Sequence, residues 1–297
     1  MSIKILESTI KEAQLVVETV FEGTGLHTGE RVLITIKNNP EKDGIIFVYE
    51  GIKKKVDPSI LNTKEKTTSI VHDKKVFVAC IEHLMSAFYG LGILNVIVEV
   101  VGGREIPILS GNSFSFIEKL LPNIEYTTVK SQSIIVTKPI VISDDCDKSR
   151  YIKLSPSNDN FFQIKSCVFY TNSYTKEQNF SFNFKDNESY IEKISHARTS
   201  FPFKVGNEKE YVQLLKRLKG AVIRGKNRNI NTYSEKDTEK TFYKNEIARH
   251  KILDFLGDFK TTGVNLVGTT VELHRTGHAL NIKLANLIFK ELKKIVT

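Results

Sequence analysis

The sequence predicts an α+β protein of two domains, and three observations carry that expectation. The chain has 297 residues, about twice a typical single-domain length. Strand-like and helix-like stretches follow one another without a regular strand-helix-strand alternation, which disfavours a doubly wound sheet. The pattern also breaks off and restarts around residues 124–132, so the expected division is 1–128 and 129–297.

Taken in order, "RVLITIKN" (31–38) and "DGIIFVYEG" (43–51) are β-branched and alternating with polar turns between them, and read as strands. "VACIEHLMSAFYGLG" (78–92) reads as a helix ending at Gly90, followed by the apolar strand "ILNVIVEVV" (93–101). The stretch from Gly102 to Ile124 reads as a turn, a short strand and a helix. "SIIVTKPIVIS" (133–143) then reopens the strand pattern, and "YIKLSPS" with "FFQIKSCVFY" continue it to residue 170. After a long polar stretch comes a basic helical segment near 208–220, then a helix over "NEIARHKILDFLGDF" (245–259). "GVNLVGTTVELHR" reads as a strand pair and "GHALNIKLANLIFKELKKIV" (277–296) as an amphipathic final helix.

Bulk properties exclude several classes. Apolar residues make up 40% and charged residues 26%, and no apolar run approaches the ~20 residues that span a bilayer. The net charge of +9 is spread through a Lys-rich chain. Its densest basic run, 214–231, lacks the interleaved aromatics of a single-strand binder, so nucleic acid is not an expected partner. The three cysteines are widely spaced with no C-x-x-C, as in a reduced cytoplasmic protein, and the charged start "MSIKILESTIKEAQ" does not read as a secretory signal.

Four stretches carry candidate chemistry. In "NEIARHKILDFLGDF" the helical period places His250, Lys251, Asp254 and Asp258 on one arc opposite Ile252, Leu253, Leu256 and Phe259. His250 and Asp254 are one turn apart, about 6 Å along the axis, and can converge on one metal ion. Asp258 lies about 12 Å from His250, too far for the same coordination sphere but able to hold another side chain. A surface helix shows the same pattern, so spacing leaves both readings open. In "CIEHLMSAF", His83 sits opposite the apolar face among Ala79, Cys80, Ser86 and Ala87, with Glu82 beside it. In "HRTGHALN", His278 opens the last helix, as a capping residue or as an acid near a polarised carbonyl. His27 in "GTGLHTG" reads as a turn residue, and the stretch fails the dinucleotide fingerprint. Two His and one Asp from separate helices would make three zinc ligands with an open fourth position.

The motifs "GTGLHTGERV", "TTS", "IEHLMSAFYGLGILNVIVEV", "EIPILSGNS", "ARTS", "RHKILDFLGD" and "TGHALN", in that order along most of the chain, resemble the UDP-3-O-acyl-N-acetylglucosamine deacetylases, zinc amidases of lipid A biosynthesis. The resemblance implies two domains of similar α+β layout with helices between two sheets and a small insertion in each. The second insertion, about 199–232, would form an acyl passage. It implies one Zn2+ held by His83, His250 and Asp254, and Glu82 as the base that takes a proton from water. His278 would protonate the leaving amine with Asp258 orienting it, and Thr199 would donate to the oxyanion. Lys251, Thr67 and Phe201 would contact a UDP-linked acylated glucosamine. It further implies a cytoplasmic monomer without stable membrane insertion. Ser200 follows Thr199 where the family usually has an aromatic, Ser110 stands in place of an Asp, and "RGKNRN" replaces a glycine-rich stretch. A non-catalytic binder of the same ligand and an amidase for another N-acetylated sugar therefore stay open beside the deacetylase reading.

Overall fold

A computed structural model describes residues 2–63, 66–159, 162–171, 173–202, 205, 208–223, 227–233 and 241–296. Two five-stranded sheets dominate it. The first has the order β2 (Thr19–Thr24), β3 (Arg31–Asn38), β9 (Val96–Gly102), β4 (Ile45–Tyr49), β5 (Ile52–Lys55). The second has the order β11 (Ile140–Ser143), β12 (Tyr151–Pro156), β18 (Thr269–His274), β13 (Phe162–Val168), β14 (Gln178–Phe184). Period-2 alternation explains why one face of each is buried: Val32, Ile34 and Ile36 on β3 and Ile164 with Phe162 on β13 point into the core.

Helices bridge the two sheets. The helix α2 (Phe114–Leu120) packs on β2 and on α1 (Glu82–Leu91), α1 packs on α5 (Glu246–Lys260), and α5 packs on β13, β14 and α6 (His278–Val296). One apolar cluster runs through this stack, with Leu84 and Phe88 of α1, Phe255 and Phe259 of α5, and Leu284 and Ile288 of α6 in the same core. The architecture is α+β, as expected.

Smaller elements complete it. β6 (Leu61–Asn62), β7 (Ser69–His72) and β8 (Lys75–Val78) form a small antiparallel sheet leading into α1. α3 (Asn187–Tyr190) runs into a π-helical turn, Ile191–Ser195, and β15 (Ser200–Pro202) pairs in parallel with β16 (Asn231–Tyr233) around α4 (Glu208–Arg217). Phe203, Arg224 to Lys226 and the whole of 234–240 lie outside the described residues.

Four expectations need correction. The helix expected over 78–92 starts only at Glu82, because Cys80 takes a left-handed backbone (φ 59°) and the Ile81 N–H bonds to the Thr68 carbonyl. It ends at Gly92, whose φ of 75° caps it, rather than at Gly90. The "strand pair" of 263–275 is no hairpin: β17 (Asn265–Leu266) joins β10 (Ile124–Val136), whereas β18 enters the second sheet between β12 and β13. The strand expected from 133 begins at Ile124, since β10 pairs residue for residue with β1 (Ile3–Leu15), from Ile3 opposite Val136 to Leu15 opposite Ile124.

Candidate metal centre and active site

The site lies where α1 and α5 cross. Their approach is set by Gly257: a Cβ there would lie 2.0 Å from the Glu82 carbonyl oxygen and 3.1 Å from the Ser86 nitrogen. Only a residue without a side chain lets the start of α1 settle on α5. Glu82 and His83, in the first turn of α1, are thereby carried onto the face of α5 that holds His250, Asp254 and Asp258.

Three of these side chains converge. His250 Nε2 is 3.2 Å and His83 Nε2 3.8 Å from Asp254 Oδ1. The two rings meet edge to face with centroids 5.1 Å apart. His250 Nδ1 lies 3.0 Å from the Ala197 carbonyl, which can only accept, so Nδ1 carries the proton and Nε2 presents a lone pair to the cluster. Burial, reinforced by His250, lowers the His83 pKa to about 3, and burial likewise lowers that of His250, so both rings are neutral at pH 7. Asp254 behaves oppositely. Burial alone would raise its pKa, but the neighbouring His250 and Lys251 outweigh burial and hold it well below the usual carboxylate range.

These residues fit a divalent metal. Asp254 Oδ1 is buried and has no hydrogen-bond partner among the described residues, yet it faces the Nε2 atoms of two imidazoles. A buried anionic oxygen without a donor is costly, and a cation coordinated by that oxygen and both rings removes the cost. His83, His250 and Asp254 form a buried group whose ligand atoms all lie within 4.8 Å of one another. The Thr199 hydroxyl sits 3.4 Å from Nε2 of each histidine, on the rim of the group.

Beside this group lies an acid-base pair. Glu82 accepts from the Thr67 hydroxyl (2.6 Å) and the Thr68 N–H (3.0 Å), and its pKa is raised by burial, with Asp258 adding to the effect. His278, the first residue of α6, has Nδ1 2.8 Å from Asp258 Oδ2, while its Nε2 stands 3.8 Å from Glu82 and 3.9 Å from Asp254. Burial would lower the His278 pKa, but Asp258, Asp254 and Glu82 together push it up to about 10. His278 is therefore a buried imidazolium at neutral pH, aimed at the same space as the Glu82 carboxyl.

Lys251 and Thr67 turn to carboxylates of the site itself. The Lys251 ammonium is 2.7 Å from Asp254 Oδ2, so it supports the carboxylate from behind. Thr67 spends its hydroxyl on Glu82. Phe201, on β15, packs against the separate small cluster of Leu26, Ile108, Leu218 and Ile230.

Further residues that no motif spacing marks also build the site. The Thr68 hydroxyl donates to Asp258 Oδ1 (2.5 Å) and Asn281 Nδ2 to Asp258 Oδ2 (2.8 Å), which fixes the carboxylate that holds His278. Both lie within motifs already quoted, "TTS" and "TGHALN": Thr68 directly after Thr67, and Asn281 three residues after His278. Buried Glu246, at the start of α5, accepts the Arg198 N–H (3.0 Å), and the Gly111 carbonyl accepts the Thr199 N–H (2.8 Å). The two contacts set where Thr199 stands. A fully buried carboxylate in a charge-rich helix start carried no periodic signal.

The family described as LpxC, UDP-3-O-acyl N-acetylglycosamine deacetylase, matches residues 12–290. The chain belongs to this family. Among similar proteins, the UDP-3-O-acyl-N-acetylglucosamine deacetylase of Wigglesworthia glossinidia brevipalpis is 31% identical over 291 residues, covering 95% of this chain and 93% of the relative. The protein of the same name from Chromobacterium violaceum is 33% identical, over 94% of this chain and 89% of its own length. Coverage of this extent places both halves of the site, α1 and α5 with α6, within the similarity to LpxC proteins. No described helix is long and apolar enough to cross a membrane.

Proposed function

We propose that this LpxC-family chain is a zinc-dependent hydrolase that removes the N-acetyl group from UDP-3-O-acyl-N-acetylglucosamine, releasing acetate and the free amine in lipid A biosynthesis. The observation that carries the reading is the partnerless buried Asp254 Oδ1 facing the Nε2 atoms of His83 and His250. Zn2+ bound by these three residues supplies Lewis-acid chemistry, activating a water and polarising the acetamide carbonyl.

The chain's own groups do the rest. Glu82, held by Thr67 and the Thr68 N–H, takes the water's proton; its raised pKa brings it nearer to neutrality, where a base works best. The Thr199 hydroxyl donates to the oxygen on which negative charge develops. The sugar nitrogen is too basic to leave as an anion, so His278 gives it the proton on Nε2 while Asp258 holds Nδ1. Water adds to the carbonyl carbon, the C–N bond breaks, and the products are acetate and an amine.

The domain division at 128/129 is part of this reading. Each five-stranded sheet is drawn from one side of it, and the metal ligands come from both sides. We assign Phe201, with the 199–232 insertion, to the acyl chain, and we place the enzyme as a monomer in the cytoplasm. Acetate release should be measured on the UDP-sugar with and without its 3-O-acyl chain. Release that depends on the acyl chain supports the assignment. Equal rates on both substrates point to another N-acetylated sugar, and ligand binding without product in a zinc-replete sample points to a non-catalytic relative.

A further inference from the structure

A second donor set lies outside the site described above. Cys80, in the turn between β8 and α1, has its Sγ 3.7 Å from His27 Nδ1, and the same nitrogen is 3.4 Å from Glu105 Oε1. The three ligand atoms all lie within 4.8 Å of one another and share no residue with the His83, His250 and Asp254 group.

Each donor reaches this place for a separate structural reason. His27 sits in the turn between β2 and β3. The other oxygen of Glu105, Oε2, accepts the N–H groups of His27 (2.9 Å) and Thr28 (3.3 Å), which pins that turn and leaves Oε1 toward the imidazole. Glu105 is fixed beside Cys80 because Ala79 bridges to it and the Ile106 N–H bonds to the Ala79 carbonyl. The left-handed backbone of Cys80 directs its thiol into the same space.

The spacing suits a tetrahedral zinc-like ion. With Zn–S about 2.3 Å and Zn–N and Zn–O about 2.05 Å, sulfur and nitrogen ligands stand about 3.5 Å apart, and nitrogen and oxygen ligands about 3.3 Å. The observed 3.7 Å and 3.4 Å are within a few tenths of those values. A set of one imidazole, one thiolate and one carboxylate suits a borderline-soft divalent ion rather than Mg2+ or Ca2+. The Glu105 side chain is 7% exposed and that of His27 30%, so the group is anchored on one side and open to solvent on the other.

We propose that His27, Cys80 and Glu105 form a second site for a zinc-like divalent cation, separate from the His83, His250 and Asp254 centre. Coordination replaces the thiol proton, which is released to solvent. The ion would tie the 25–30 turn to the start of α1. That turn also holds the base of the insertion, through the Gly220 N–H on the Leu26 carbonyl (3.0 Å).

Cobalt(II) titration of metal-free protein tests this, because a cysteine thiolate gives a charge-transfer band in the near ultraviolet that two histidines and an aspartate cannot. The expected result is two equivalents per chain, with the thiolate band accompanying one of them. Cys80→Ser should abolish the band and weaken that equivalent at least tenfold while the other is retained. His27→Gln, which keeps the thiol, should weaken the same equivalent and serves if Cys80→Ser does not fold. A single equivalent, two equivalents without a thiolate band, or a band that survives in Cys80→Ser and so comes from Cys146 or Cys167 would each overturn the proposal.

Discussion

Replacing Gly257 by alanine tests whether the crossing of α1 and α5 builds the metal centre. The added Cβ would stand 2.0 Å from the Glu82 carbonyl oxygen, and such contacts are not made below 3.0 Å. The contact is with backbone, Glu82 in the first turn of α1 against Gly257 within α5, so no flexible side chain can yield and the helices must part by about 1 Å. Overpacking of this kind costs typically ~1–3 kcal/mol. At roughly 2.1 cal/mol/K per residue, 297 residues unfold with an entropy near 0.6 kcal/mol/K, so Tm should fall by about 2–5 °C. The site should lose far more. His83 is on α1 and Asp254 on α5, already 3.8 Å apart across the crossing, and a displacement of ~1 Å in a reacting geometry costs on the order of 100-fold. Scanning calorimetry, competition with a chelator and a turnover assay would read the three effects. A Gly257→Ala protein with wild-type metal affinity and turnover would refute the view that this crossing sets the geometry.

Further consequences follow from the charges. His278 is an acid only while protonated, so activity should decline on the alkaline side as pH rises through its raised pKa; Asp258→Asn removes the leading charge that raises it and should move that decline to lower pH, read from a kcat/KM profile. The same raised pKa means that metal-free protein holds the His278 contribution to stability in full below about 6.5 and loses it as pH climbs toward about 10, visible as a falling denaturation midpoint over that range and flattened in Asp258→Asn. Lys251→Met leaves Asp254 Oδ2 without its 2.7 Å donor and should weaken zinc about 10–100-fold in chelator competition; a rise in KM with unchanged metal affinity would instead assign Lys251 to contact with the UDP-linked substrate.

How much of this was legible in the sequence depends on whether a residue's role is local. His250 and Asp254 are one helical turn apart, so their convergence follows from the rise per residue, and Asp258, too distant to be a ligand, stands on His278 instead. The long antiparallel ladder of β1 and β10 was missed because much of β10 is exposed, and a strand without a buried face shows no apolar alternation. β14 falls in the long polar stretch after residue 170, where Phe180, Phe182 and Phe184 alternate with polar residues. The start of α1 was set too early because nothing in "VAC" announces a left-handed Cys80. The Lys251 pair with Asp254, three residues on in α5, is likewise within reach of the helical period, whereas the contacts of Thr68 with Asp258 and of Glu246 with Arg198 depend on residues brought close by folding, and spacing within one element cannot reveal them. Gly257 belongs with these: its reason is the backbone of another helix, 175 residues earlier in the chain.

The central claim is that His83, His250 and Asp254 hold the metal while Glu82 moves the proton. The direct measurement is metal content together with acetate release from the UDP-3-O-acyl sugar, for the wild type and for Glu82→Ala. Both proteins should retain metal in the three-ligand centre, the wild type should release acetate, and the variant should be slower by ~10²–10⁴-fold. Equal rates for the two proteins, or no acetate from a zinc-replete wild type, would contradict it.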